Sequence, residues 1–329
     1  MVAEIIEFQF RRYERKFRKP LRTARGKHEV RIGFVARLAG PDGTEAFGEI
    51  APWPEMGSES VAEAEAFLTS VAKSGGIPGF FAIPSTLPAC RWGLSSALES
   101  LRRKRPLPSK TFPVAALLPA GAEALQRGVE LRETGFQVFK WKIGLADART
   151  EQNLFRVLCR AVPDAVFRLD ANGGLDNESA REWLSFLEGM PVAFLEQPLA
   201  PAHMKELRAL AAESSVPVAL DESVGTWRDW ENLRPAGWSG PVVVKPSVFG
   251  SVDEVRRLAR EARVVVSSVF ETSVGVEAIL QLAGEVNVSE TLGLGTGEWM
   301  EEDGLYLHGS GPLLRGGWVS PGEIWARLA

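Results

Sequence analysis

Five short segments recur down the middle of the 329-residue chain, each closing on charge where a β-strand would end. They read FKWKIG at 139–144, FRLDANGG at 167–174, FLEQP at 194–198, ALDES at 219–223 and VVKPS at 243–247. Lys142, Asp170, Glu196, Asp221 and Lys245 follow one another at separations of 28, 26, 25 and 24 residues. That interval accommodates one strand, one helix and two loops. A chain that repeats this unit and ends each strand on charge predicts a (β/α) barrel with its chemistry at the carboxyl ends of the strands.

The eight barrel strands are expected near 114–118, 138–143, 166–170, 193–196, 216–221, 241–245, 264–270 and 293–297. They are rich in Val, Phe and Leu, as strands buried on both faces are. Helical stretches lie between them, among them 122–134, 147–161, 177–188, 203–214, 227–233 and 251–262. Residues 1–110 do not keep this rhythm. There, 5–13 alternates as a strand, and 33–38 and 45–50 flank the turn Pro41-Asp42-Gly43 as a hairpin. Helices are expected over 60–73 and 90–103. The reading is an α+β domain over 1–110, a linker at Leu107-Pro108-Ser109, a barrel over 111–300, and a tail over 301–329 that packs back on the first domain.

Composition narrows the function. The chain is 45% hydrophobic and 24% charged, with a net charge of −4, and its pI is near 5.7. No basic block stands out, so nucleic acid is not an expected partner. The most basic stretch, 11–18, alternates with Phe and Tyr as a half-exposed strand does. Cys90 and Cys159 are the two cysteines, which fits a reducing cytoplasm rather than a disulfide framework. No signal peptide is expected at the N-terminus, and no apolar run approaches the ~20 residues of a membrane helix. The oligomeric state stays open; the Trp-rich segment at 227–230 is read as packing.

In a strand, alternate residues share a face, so Lys140 and Lys142 point one way and Trp141 the other. Inside a barrel their mutual repulsion and desolvation would lower both pKa values and make a base. The alternative is an exposed edge strand with solvated lysines, against which the apolar flanks Val138, Phe139 and Ile143 speak. Asp170, Glu196 and Asp221 end three successive strands. Converging hard oxygen donors suit Mg²⁺; the alternative is three unrelated carboxylates capping the loops that follow. Zinc lacks support, since the three histidines and two cysteines show no ligand spacing. Lys245 is expected to face Lys142 across the barrel mouth, or to pair with Asp221. The glycines of 293–297 lack dinucleotide spacing. Segment 267–273 reads as a polar pocket wall, with no partner His for a serine triad.

These residues resemble the enolase superfamily, in its muconate-lactonizing-enzyme-like subgroup, over nearly the whole chain. The motifs GEIAPWPEMGSES, VVVKPSVFGS and VVSSVFETSVG are most similar to the o-succinylbenzoate synthase family. The resemblance implies a (β/α)₇β TIM-like barrel under an N-terminal α+β capping domain, whose loops at 20–26 and 48–54 cover the site. It implies Mg²⁺ on Asp170, Glu196 and Asp221, with catalysis by Lys142, Lys245 and Lys140. A small-molecule carboxylate is expected to meet Thr23, Gly26, Trp53, Ser267, Ser268 and Glu271. Lys142 would remove the proton α to that carboxylate and return it to a leaving hydroxyl. N-acylamino-acid racemases share the same lysines, and dipeptide epimerases the metal site. The Asp-x-Asp motif of those epimerases is missing, the eighth-strand stretch reading GLGTGEWM.

Overall fold

The computed structural model describes residues 5–23, 26–74, 82–103, 109–286, 288 and 290–328. Of the expected linker, Leu107 and Pro108 lie outside these residues.

The chain begins with an antiparallel sheet of β1 (Glu7–Thr23), β2 (Gly26–Ala39) and β3 (Glu45–Ile50), in that order. Period-two alternation puts Tyr13, Arg15 and Phe17 on the buried face of β1 and Arg12, Glu14 and Lys16 in solvent. The expected turn joins β2 to β3: Gly43 sits at φ 79°, which favours glycine, and its N–H donates to Gly40 O at 3.1 Å. Helix α1 (Val61–Ser74) opens with a capping box between Ser60 and Glu63. Helix α2 (Pro88–Arg102) lacks a cap of its own; Glu59 supplies one from a distance, accepting from Ala89 N at 3.0 Å and Cys90 N at 2.8 Å. Helix α2 lies so close on β3 that a Cβ at Gly48 would collide with Gly93 O.

The barrel follows. Its elements are β4 (Thr111–Leu117), α3 (Glu123–Glu133), β5 (Val138–Lys142), α4 (Ala148–Ala161), β6 (Val166–Asp170), α5 (Asn177–Leu187), β7 (Val192–Glu196), α6 (Met204–Glu213), β8 (Val218–Ala219), α7 (Trp227–Leu233), β9 (Val242–Val244), α8 (Pro246–Phe249), α9 (Val252–Glu261), β10 (Val264–Val266), α10 (Ser273–Glu285) and β11 (Leu292–Gly295). Strands β4 to β8 pair in sequence and in parallel, β11 pairs with β4, and β9 with β10. Parallel bridges Leu220–Val242 and Ser267–Gly293 close the ring. This is the expected (β/α)₇β barrel.

Outward-facing side chains make the packing between strands and helices. Trp141 is fully buried and stacks on Phe155 of α4, with ring centroids 6.0 Å apart and 9° between planes. Burying side chains of this size stabilises by roughly 1.5–3 kcal/mol each. Helix α10, absent from the helices named above, is buried on nearly every side, so its sequence carries no polar stripe to mark it.

The C-terminal segment touches both units. Strand β12 (Leu313–Arg315) pairs antiparallel with β4. Helix α11 (Pro321–Arg327) sets Trp325 against Phe47, centroids 6.0 Å apart. Asp303 pairs with the buried Arg15 at 2.6 Å. The basic stretch of β1 is thus half-exposed as expected, but one of its arginines is locked inside.

Candidate active site

Register sets the carboxylates in a row. Lys142 lies opposite Asp170, and Asp170 opposite Glu196, on neighbouring parallel strands. Because β5 alternates, Lys140 shares their inward face one step deeper. Its Nζ lies 2.8 Å from Asp170 Oδ2 and 2.7 Å from Glu196 Oε1. Lys245 Nζ binds both carboxylate oxygens of Asp221 in a very short pair. The structure therefore brings all six predicted polar residues to one cavity. It also separates the three lysines by role. Among the described residues, Lys142 alone of the three has no hydrogen bond or ion pair.

The electrostatics follow from these contacts. Burial lowers the pKa of Lys142, and the charges of Lys140 and Lys245 add to that, outweighing Asp170 and Glu222. Lys140 moves the other way. Burial disfavours its charge, but Asp170, Glu196 and Asp221 together outweigh it and raise its pKa. The expectation of two depressed lysines thus holds for Lys142 only, because two buried carboxylates at hydrogen-bond distance overcome one neighbouring ammonium. Lys245 is likewise raised, Asp221 and Glu222 outweighing its burial.

The acids carry more negative charge than the lysines settle. Glu196 is pushed well up by burial and by Asp170 and Asp221. Glu222, beside Asp221, is raised to about 7 by burial and those same two aspartates, and its buried Oε2 has no partner among the described residues. Among the described residues no three metal-ligating side chains are already drawn together at ligating spacing; ammonium groups satisfy the carboxylates instead. The donor set still fits a hard divalent cation: three oxygen-only ligands on adjacent strand ends, next to a carboxylate oxygen of Glu222 that has no partner among the described residues.

A cavity of about 100 Å³ opens above them. Leu21, Trp53, Met56 and Phe270 form an apolar roof, and Ser267, Ser268 and Thr296 a polar wall. Of the expected substrate-binding residues, Trp53, Ser267 and Ser268 line this cavity. Glu271 does not line the cavity. Its carboxylate turns behind the wall, accepting from Ser268 Oγ at 2.6 Å and Val269 N at 3.0 Å, so it shapes the wall rather than facing substrate. Thr23 and Gly26 face each other across the end of the β1–β2 hairpin; the Thr23 side chain lies outside the described residues, as do Ala24 and Arg25.

Two lining residues escaped the sequence reading. Arg168 shares the inward face of β6 with Asp170, its guanidinium 5.2 Å from the Phe194 ring centroid and its Nε without a partner among the described residues. The period-two spacing to Asp170 was the available signal. Asn172, at φ 45°, donates from Nδ2 to Asp170 Oδ2 and to Glu222 Oε1, both at 3.1 Å. A histidine partner for Ser273 also exists, which spacing did not disclose. His308 Nδ1 lies 3.0 Å from Ser273 Oγ and its Nε2 3.1 Å from Glu277 Oε2. None of the three lines the cavity, and they tie the C-terminal segment to α10.

Comparison with known proteins agrees with this geometry. Residues 122–309 match the family described as Enolase C-terminal domain-like. An o-succinylbenzoate synthase of Thermosynechococcus vestitus is 34% identical over 89% of this chain and 94% of its own. One of Enterobacter sp. is 30% identical over 82% and 84%. The crystal structure of o-succinylbenzoate synthase from Thermosynechococcus elongatus BP-1, complexed with Mg in the active site, superposes with a TM-score of 0.81. It is 33% identical and covers 89% of this chain and 93% of its own. A substrate-liganded L-Ala-D/L-Glu epimerase from Bacillus subtilis shares the fold at a TM-score of 0.80, with 21% identity over 94% and 96% of the two chains. The matched barrel, the strand-end lysines and carboxylates, and these relatives agree that the chain belongs to the enolase superfamily, in the branch that holds the o-succinylbenzoate synthases.

Proposed function

We propose that this chain is an o-succinylbenzoate synthase, removing water from 2-succinyl-6-hydroxy-2,4-cyclohexadiene-1-carboxylate. The observation that carries the reading is Lys142: an unpaired amine of lowered pKa at a cavity whose other two lysines are locked onto carboxylates. Its Nζ takes the ring proton α to the carboxylate, and the C–H electrons pass into that group. The resulting ammonium returns the proton to the hydroxyl on the neighbouring ring carbon, on the same face. The C–O bond breaks, water leaves and the ring becomes aromatic. Lys140, held protonated, adds fixed positive charge beside the developing dianion. Lys245, held protonated by Asp221, sets its charge against the opposite ring face. Trp53 and Phe270, centroids 5.9 Å apart, keep water off the reacting carbons. Asp170, Glu196 and Asp221 would hold Mg²⁺, which when bound supplies positive charge at the substrate carboxylate.

The reading extends to context. The product would serve menaquinone or phylloquinone biosynthesis, and two reduced cysteines suit the cytoplasm. The working division is a cap of residues 1–110 with 301–329 folded onto it and a barrel of 111–300; the Arg15–Asp303 and Phe47–Trp325 contacts support it. The test is loss of the diene absorbance of the substrate with purified protein, with and without Mg²⁺. Fast, metal-dependent loss is expected. No loss above the uncatalysed rate, with deuterium exchange at the α-carbon of an N-succinyl amino acid, would replace the synthase with a racemase.

A further inference from the structure

The segment FLEQP contains one residue that the chemistry above leaves unused. Gln197 follows Glu196 directly, is fully buried and sits at φ 38°, a left-handed conformation that a side-chain-bearing residue adopts only when its surroundings compel it. Its amide is satisfied on both sides. Oε1 accepts from Asp221 N at 3.0 Å and from Ser223 N at 3.1 Å. Nε2 donates to Leu199 O at 2.8 Å and to Ser223 Oγ at 2.7 Å. Its backbone is engaged as well: its N–H donates to Ala219 O at 2.8 Å, and its carbonyl accepts from Gly173 N at 2.7 Å.

These bonds reach every loop that carries a carboxylate of the site. Gly173 lies in the loop that follows Asp170. Glu196 is the preceding residue. Asp221 and Ser223 form the turn after β8. Strand β8 is only two residues long, so beside the Lys245–Asp221 pair and the Leu220–Val242 bridge the turn takes its backbone anchoring from Gln197. Only a primary amide has the required chemistry at this point. Two backbone N–H groups call for an acceptor, while a carbonyl and a hydroxyl on the other side call for donors. A glutamate offers only acceptors there, and a lysine only donors.

We propose that Gln197 is a positioning residue that sets the spacing of Asp170, Glu196 and Asp221 and so tunes the affinity of the site for Mg²⁺. It touches neither substrate nor metal and acts through the backbone of the three ligand loops. The inference rests on the Mg²⁺ reading given above. Changing a group that orients a metal ligand commonly costs about 10- to 100-fold in affinity.

The test is calorimetric titration of Mg²⁺ into the full-length protein without substrate, beside the melting temperature. Gln197→Met keeps the volume and removes all four side-chain bonds; a 10-fold or greater loss of Mg²⁺ affinity is expected. Turnover should recover in large part when Mg²⁺ is raised to saturation. Should that variant fail to fold, Ser223→Ala removes one of the four bonds, and a loss of about threefold is expected. Wild-type Mg²⁺ affinity in the folded variants, whatever their melting temperatures, overturns the role of Gln197. Wild-type protein that binds no Mg²⁺ overturns the metal reading, and this inference with it.

Discussion

Two lysines two residues apart on one strand do different work, and the difference comes from their partners. Lys142 Nζ has no partner among the described residues to lose. Lys142→Ala should therefore keep the melting temperature and Mg²⁺ affinity while turnover falls by about 10²- to 10⁴-fold, the range of general acid–base contributions. A variant with near-normal rate would remove Lys142 from the mechanism. Lys140 faces two buried carboxylates. Lys140→Ala should destabilise the metal-free protein by about 3–5 kcal/mol, because it leaves buried charge uncompensated, and added Mg²⁺ should restore part of the melting temperature. A melting temperature unchanged in chelator would mean that those pairs contribute nothing. The lysines and carboxylates were legible because a parallel barrel places every strand end on one face, so spacing alone gathers them. The opposed pKa directions were not, since they depend on distances of 2.7 and 2.8 Å that sequence does not encode locally.

At the scale of elements, periodicity disclosed every barrel strand and missed what one element borrows from another. Helix α2 shows the pattern. Its first residues offer no cap, and the one it has comes from Glu59, some thirty positions earlier. Burial raises the pKa of that carboxyl above the ordinary range, although Cys90 N and Ala89 N favour its charge. The sign follows from linkage. A folded-state pKa above the unfolded value means that the native state binds the proton more tightly. Stability from this group is full below about pH 4.5 and declines as pH rises through the raised value. The melting temperature of wild type relative to Glu59→Gln should therefore fall between pH 4.5 and neutrality. A constant difference would show that Glu59 does not titrate in that window. Glu59→Ala, which leaves both N–H groups without an acceptor, should cost about 1–2 kcal/mol below about pH 4.5 and less as pH rises. Arg15 and Arg31 were illegible for a related reason. An arginine on the buried side of an alternating strand looks, in sequence, like its neighbours on the exposed side.

For the whole molecule, the consequence is that cap and barrel share one polar joint. From β2, Arg31 donates to Val269 O at 2.8 Å and to Pro52 O and Ala51 O, each at 2.6 Å. From β1, Arg15 donates to Glu271 O at 3.0 Å. From β3, Glu49 accepts from Tyr13 OH at 2.6 Å, Thr272 N at 3.0 Å and Gly275 N at 2.9 Å. A Cβ at Gly275 would stand 2.8 Å from Glu271 Cβ and Cγ and 2.9 Å from Glu49 Oε2, so glycine leaves room there for both side chains. The joint grips the segment that bears Phe270, a cavity wall held at φ 63°, and it braces Trp53 opposite. Two units joined through buried, fully paired charges have no cheap way to separate, so calorimetry of the wild type should show a single transition. Glu49→Ala strands two N–H groups, a phenol and the Thr272 hydroxyl. The expected cost is about 3–5 kcal/mol, with KM rising more than kcat falls, since the walls shift while Lys142 keeps its place on β5. Two separate transitions in the wild type, or an unchanged KM in the folded variant, would show that the cap rides on the barrel without shaping its pocket.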